Sequence, residues 1–84
     1  MFTYYTKGVC SKKITFDIEG NVIRNVKFYA GCDGNLKGIS KLIEGMTVND
    51  VINKLKGIRC KDKNTSCPDQ LACALEEAIK ERHA

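Results

Sequence analysis

A chain of 84 residues and 9.4 kDa allows one domain, residues 1–84, and leaves no room for a doubly wound dinucleotide fold, a P-loop domain or a ten-stranded barrel. Hydrophobic residues at 43 %, charged residues at 29 % and a single proline describe a folded chain and exclude a disordered one. Fourteen basic against ten acidic side chains give +4, but the surplus is dispersed, densest at Lys12-Lys13 and Lys61–Lys63, so a solvated surface is expected rather than a nucleic-acid-binding arm.

Residues 2–7 are short, aromatic and threonine-rich, and predict a first strand. They hold no basic n-region and no apolar run near the roughly 20 residues of a membrane span, so a cytoplasmic protein without a membrane segment is expected. Gly8-Val9-Cys10-Ser11 reads as a turn. Residues 12–18 alternate, with Ile14, Phe16 and Ile18 on one face and Thr15 and Asp17 on the other. Glu19-Gly20-Asn21 is a hairpin connection, and residues 22–29 return with Val22, Val26 and Phe28 on one face.

Gly31-Cys32-Asp33-Gly34-Asn35 breaks the strand pattern. Leu36, Ile39, Leu42 and Ile43 then recur at helical spacing, and Gly45 fits the stop. Thr47 with Asp50 resembles a capping box before the stripe Val48, Val51, Ile52 and Leu55, which Gly57 ends. A polar loop holds Cys60. Pro68 suits the first turn of a last helix carrying Leu71, Ala72, Leu75, Ala78 and Ile79. The pattern is α+β: a three-stranded antiparallel sheet followed by three helices packed on one face. An open sheet edge makes a homodimer an expectation.

Five cysteines in so short a chain, an odd number in a reducing compartment, argue against a disulfide framework and for metal binding or thiol chemistry. No CxxC pair occurs, so any site is assembled by the fold. Cys10, Cys32, Cys60 and Cys67 fall at element ends, where side chains converge. Cys32 and Cys67 are predicted at helix N-termini, whose unpaired N–H groups favour thiolate. Cys73, inside the last helix, reads as a small core hydrophobe. Asp33 and Asp69 read as capping residues, with Asp33 as an optional oxygen ligand. His83 sits at a fraying helix end.

Thr65-Ser66-Cys67-Pro68-Asp69 resembles the signature of the TSCPD family. The resemblance extends through Gly8-Val9-Cys10-Ser11, Val26-Lys27-Phe28, Gly31-Cys32-Asp33-Gly34-Asn35-Leu36, Gly57-Ile58-Arg59-Cys60 and Ala74-Leu75. Members of that family are short stand-alone proteins or C-terminal modules of vitamin-B12-dependent ribonucleotide reductases, and stand-alone members carry the label ribonucleoside-diphosphate reductase. The reductase's catalytic barrel does not fit in this length. The layout is also similar to U-type iron–sulfur scaffold proteins, to whose three cysteine positions Cys10, Cys32 and Cys67 correspond. Here Ser11-Lys12 replaces the Gly-Asp of that pattern, Ser66 stands where it has histidine, and the chaperone-recognition loop is missing, which leaves Cys60 available as a fourth ligand.

These readings imply a small metal-binding module, taking Zn²⁺ or an iron–sulfur cluster on Cys10, Cys32, Cys67 and Cys60, accessory to ribonucleotide reduction or iron–sulfur metabolism. A ribonucleotide reductase or an iron–sulfur protein is then the implied partner. A thiol redox or sulfur-transfer protein using Cys32 or Cys67 is the alternative in another class, and a nucleic-acid or protein interaction module is the third.

Overall fold

The computed structural model describes residues 1–31, 33–61 and 63–83, the side chains of 33, 82 and 83 excepted. Three antiparallel strands, β1 (Phe2–Tyr5), β2 (Lys13–Glu19) and β3 (Val22–Tyr29), lie in the order β1-β2-β3. Helices α1 (Asp33–Ile43), α2 (Val48–Leu55) and α3 (Cys67–His83) follow. This is the expected α+β arrangement, a sheet followed by three helices. No helix among the described residues is long and apolar enough to cross a membrane.

The helices cover one sheet face. Ile14, Phe16, Ile23 and Val26 from the sheet meet Ile43, Val48 and Val51 and the α3 stripe Leu71, Ala74, Leu75 and Ala78 in one core. The α3 spacing of three and four residues keeps that stripe on one side of the helix. Phe2 pairs with Phe16 across the β1–β2 ladder, and their rings stack with centroids 5.4 Å apart.

The expected inward face of β3 is corrected by one bulge. Thr15 pairs with Lys27, but Asp17 pairs with Arg24, so Phe16 alone faces Asn25 and Val26. Asn25 takes a left-handed backbone, φ +55°, which its short polar side chain tolerates. The extra residue reverses the alternation. Ile23, not Val22, is fully buried, and it stands opposite Ile18. Val22 instead bridges to Thr47.

Two other expectations shift. β1 ends at Tyr5 rather than residue 7, because Thr6 and Lys7 turn to new partners. Leu42 is 80 % exposed instead of packed. At about 100° per residue it lies roughly 120° round the helix from Leu36, whereas Ile43 returns almost to the Leu36 azimuth. The Thr47 cap of α2 forms as expected, its hydroxyl accepting from the Asp50 N–H at 3.3 Å.

Candidate functional site

Cys67 is the first residue of α3, and its surroundings fix it there. Ser66 Oγ accepts from the Asp69 N–H at 3.2 Å and donates to the Ile58 carbonyl at 2.7 Å. Its own carbonyl receives the Gln70 N–H. Ser66 is therefore the N-cap of α3 and ties the preceding loop to the helix start. Pro68 sits in the first turn, where a helix has no internal partner for an N–H.

Cys10 reaches the same place through the β1–β2 turn. The Thr6 N–H donates to the Lys12 carbonyl at 3.2 Å, and the Thr6 hydroxyl to the Ser11 carbonyl at 2.5 Å, closing the loop 7–11. The Lys7 N–H donates to Gln70 Oε1 at 3.1 Å, which pins this loop to α3 three residues beyond Cys67. The outcome is a sulfur pair. Cys10 Sγ and Cys67 Sγ are 3.7 Å apart. The Ser11 hydroxyl, buried, donates to Cys67 Sγ at 3.2 Å.

The β3–α1 junction borders this pair. Ala30 and Gly31 both have left-handed backbones, φ +65° and +96°. A Cβ on Gly31 would stand 3.2 Å from Cys10 Sγ and 3.1 Å from both the Ser11 nitrogen and Leu36 Cδ1. Glycine is thus required twice, by conformation and by contact. Strained backbone of this kind concentrates at functional sites.

A family model for the TSCPD domain matches residues 2–79. The chain belongs to the TSCPD domain family. No match to it was found among curated proteins or solved structures.

In this TSCPD domain the Thr65–Asp69 segment is a structural hub around one thiol. The Asp69 carboxylate accepts from the Thr65 hydroxyl at 2.5 Å and from the Gly57 N–H at 2.6 Å. Gly57, φ +85°, closes α2 in the left-handed conformation that presents this N–H. Gln70 Nε2 donates to Thr65 Oγ1 at 3.0 Å. Burial pushes the Asp69 carboxyl up, but the Thr65 hydroxyl, the Gly57 N–H and the Lys56 charge outweigh it and hold the group below its ordinary value. Asp69 was expected as a cap; it clamps the 57–65 loop instead, and Ser66 is the cap. The signal for Ser66 as the cap is the spacing Ser66-x-x-Asp69, that of a capping box.

The remaining cysteines of the TSCPD domain differ in setting. Cys32 lies outside the described residues, as does the side chain of Asp33. Cys60 is exposed, in a loop closed by its N–H to the Thr65 carbonyl at 3.1 Å and by the Lys63 N–H to its own carbonyl at 3.0 Å. Among the described residues no third Cys, His, Asp or Glu joins the pair of Cys10 and Cys67. Cys73 is half-buried within α3, and burial pushes its thiol up against the opposing pull of Lys56. It is poorly suited to nucleophilic work.

Proposed function

We propose that this domain is a small metal-binding module whose thiolate ligands are Cys10, Cys67 and Cys32; Cys60, the fourth in the sequence reading, is exposed in its own loop and does not join the sulfur pair in this conformation. The observation that carries the reading is the separation of 3.7 Å between Cys10 Sγ and Cys67 Sγ. A disulfide holds its sulfurs about 2.05 Å apart. Two thiolates sharing one tetrahedral zinc, at about 2.3 Å each, stand about 3.8 Å apart. The donor set therefore fits a metal that prefers sulfur, either zinc or the iron of an iron–sulfur cluster. Bound metal would supply folding energy that a chain this short lacks.

Chain continuity supports the third ligand. Gly31 lies against Cys10 Sγ, and Cys32 is its covalent neighbour. The Ser11 hydroxyl supports a bound thiolate by donating to its sulfur. The resemblance to reductase C-terminal modules makes an accessory role in ribonucleotide reduction or iron–sulfur metabolism, in the cytoplasm, the physiological setting of this reading. A ribonucleotide reductase or an iron–sulfur protein is its partner.

The same sulfur pair favours a second reading, reversible thiol redox, in which Cys10 and Cys67 close from 3.7 Å to bonding distance. Metal analysis and an absorption spectrum of anaerobically purified protein separate the two. Stoichiometric zinc or iron supports the first. Metal-free protein that forms a Cys10–Cys67 disulfide on mild oxidation supports the second.

A further inference from the structure

β3 is an edge strand, and the described residues cover only half of its outer edge. The covered half runs to Asn25. The Ile23 N–H donates to the Met46 carbonyl at 2.9 Å, and the Gly45 N–H to the Ile23 carbonyl at 3.0 Å. Thr47 bridges Val22, and the Asn25 N–H donates to Glu44 Oε1. Residues 45–47 thus behave as a fragment of a fourth strand.

Past the bulge the edge has no backbone partner among the described residues. The Tyr29 carbonyl accepts from the Lys12 N–H, so its backbone faces β2, and strand alternation turns the peptide groups of Phe28 outward. Among the described residues no backbone hydrogen bond from another segment reaches this half. A groove of about 340 Å³ runs beside it, between β3 and α1. Its floor is Val26, Phe28 and Leu36, and its α1 side carries Lys37 and Lys41, while the Lys27 ammonium turns to the opposite sheet face over the Tyr29 ring. Glu44, at the far end, is engaged by the Asn25 N–H and lies 3.6 Å from Arg24.

We propose that this groove docks an extended acidic segment of a partner protein, which adds a strand to the open half of β3. Main-chain bonds to Phe28 supply affinity, alternate apolar side chains rest on Val26, Phe28 and Leu36, and the acidic ones meet Lys37 and Lys41 of α1. Charge decides the occupant. A second copy meeting this edge with its own would set lysines against lysines, whereas an acidic strand is complementary.

The test uses the full chain, ¹⁵N-labelled, and an eight-residue peptide of alternating valine and glutamate. Saturable binding is expected, with amide shifts concentrated at Val26–Ala30 and on α1. The valine–lysine counterpart should not bind. The double variant Lys37→Glu, Lys41→Glu should weaken binding at least tenfold while leaving the rest of the spectrum in place. Peptide N-methylated at alternate residues should lose binding, because strand addition uses the main chain. Equal binding of the acidic and basic peptides, unchanged binding of the N-methylated peptide, or no binding at all would overturn the proposal. So would concentration-dependent shifts of the Phe28 amide in the protein alone, which would assign the edge to a second copy.

Discussion

Cys10 Sγ lies 3.7 Å from Cys67 Sγ, although 57 positions separate them in the chain. Two hydrogen bonds make that meeting. The Lys7 N–H on Gln70 Oε1 brings the β1–β2 turn to α3, and the Ser11 hydroxyl on Cys67 Sγ seats the turn against the helix start. Neither bond belongs to a strand ladder or a helix. The pair is held by the Ser11 side chain of the first turn and by Gln70, the residue just after the family signature.

The Ser11 hydroxyl is expected to act on the ligand more than on the fold. Ser11→Ala removes a donor to Cys67 Sγ and should lower metal affinity by about 10–100-fold. Competition with a chromogenic chelator measures this, and circular dichroism confirms that the helices persist. Parent-like affinity would show that the hydroxyl does not support the ligand.

Ala30 and Gly31 should respond in opposite directions. Gly31→Ala places a Cβ against Cys10 Sγ and the Ser11 backbone at positive φ, and should cost about 1–3 kcal/mol together with a loss of bound metal. Ala30→Gly relieves a left-handed alanine, φ +65°, and should stabilise by about 0.5–1 kcal/mol. Urea unfolding of both variants checks the signs. Two changes of the same sign would contradict the strain described at this junction.

Asp69 makes stability depend on acid. Its carboxyl titrates below the ordinary 3.8 in the fold, so the native state binds fewer protons there than the unfolded chain. Its contribution is complete above that ordinary value and is lost as pH falls through the folded value. Asp69→Asn should cost about 1.5–3 kcal/mol near neutrality, from weakened bonds to Thr65 and Gly57, and the gap to the parent should close below about pH 4. The exposed carboxyl of Asp17, lowered chiefly by the Asn25 amide, shifts the same way but is common to both proteins. A constant gap from pH 7 to pH 2.5 would contradict the assignment.

Much of the fold is legible in local pattern, because alternation and helical spacing follow from which face is buried. Ile14 and Phe16, the Thr47 cap and the α3 stripe can be read that way. The β3 face cannot, since Asn25 looks like any polar residue between Arg24 and Val26 until the ladder shows two residues against one. Leu42 misleads because it is apolar at near-helical spacing yet points away from the sheet. At the site, Cys67 opens α3 and Cys10 lies in the β1–β2 turn, both positions legible in the local pattern. The approach of Cys10 to Cys67 depends on the tertiary bond from Lys7 to Gln70, which leaves no periodic trace.

Metal stoichiometry in matched cysteine variants tests the central claim most directly. The 84-residue chain and its variants Cys10→Ser, Cys32→Ser, Cys67→Ser and Cys73→Ser are purified anaerobically, then measured by elemental analysis with an absorption spectrum. The parent and the Cys73 variant are expected to hold stoichiometric zinc or iron, and the other three to lose most of it. A metal-free parent, or variants at 10, 32 and 67 that retain the parent's content, would contradict a metal centre at this sulfur pair.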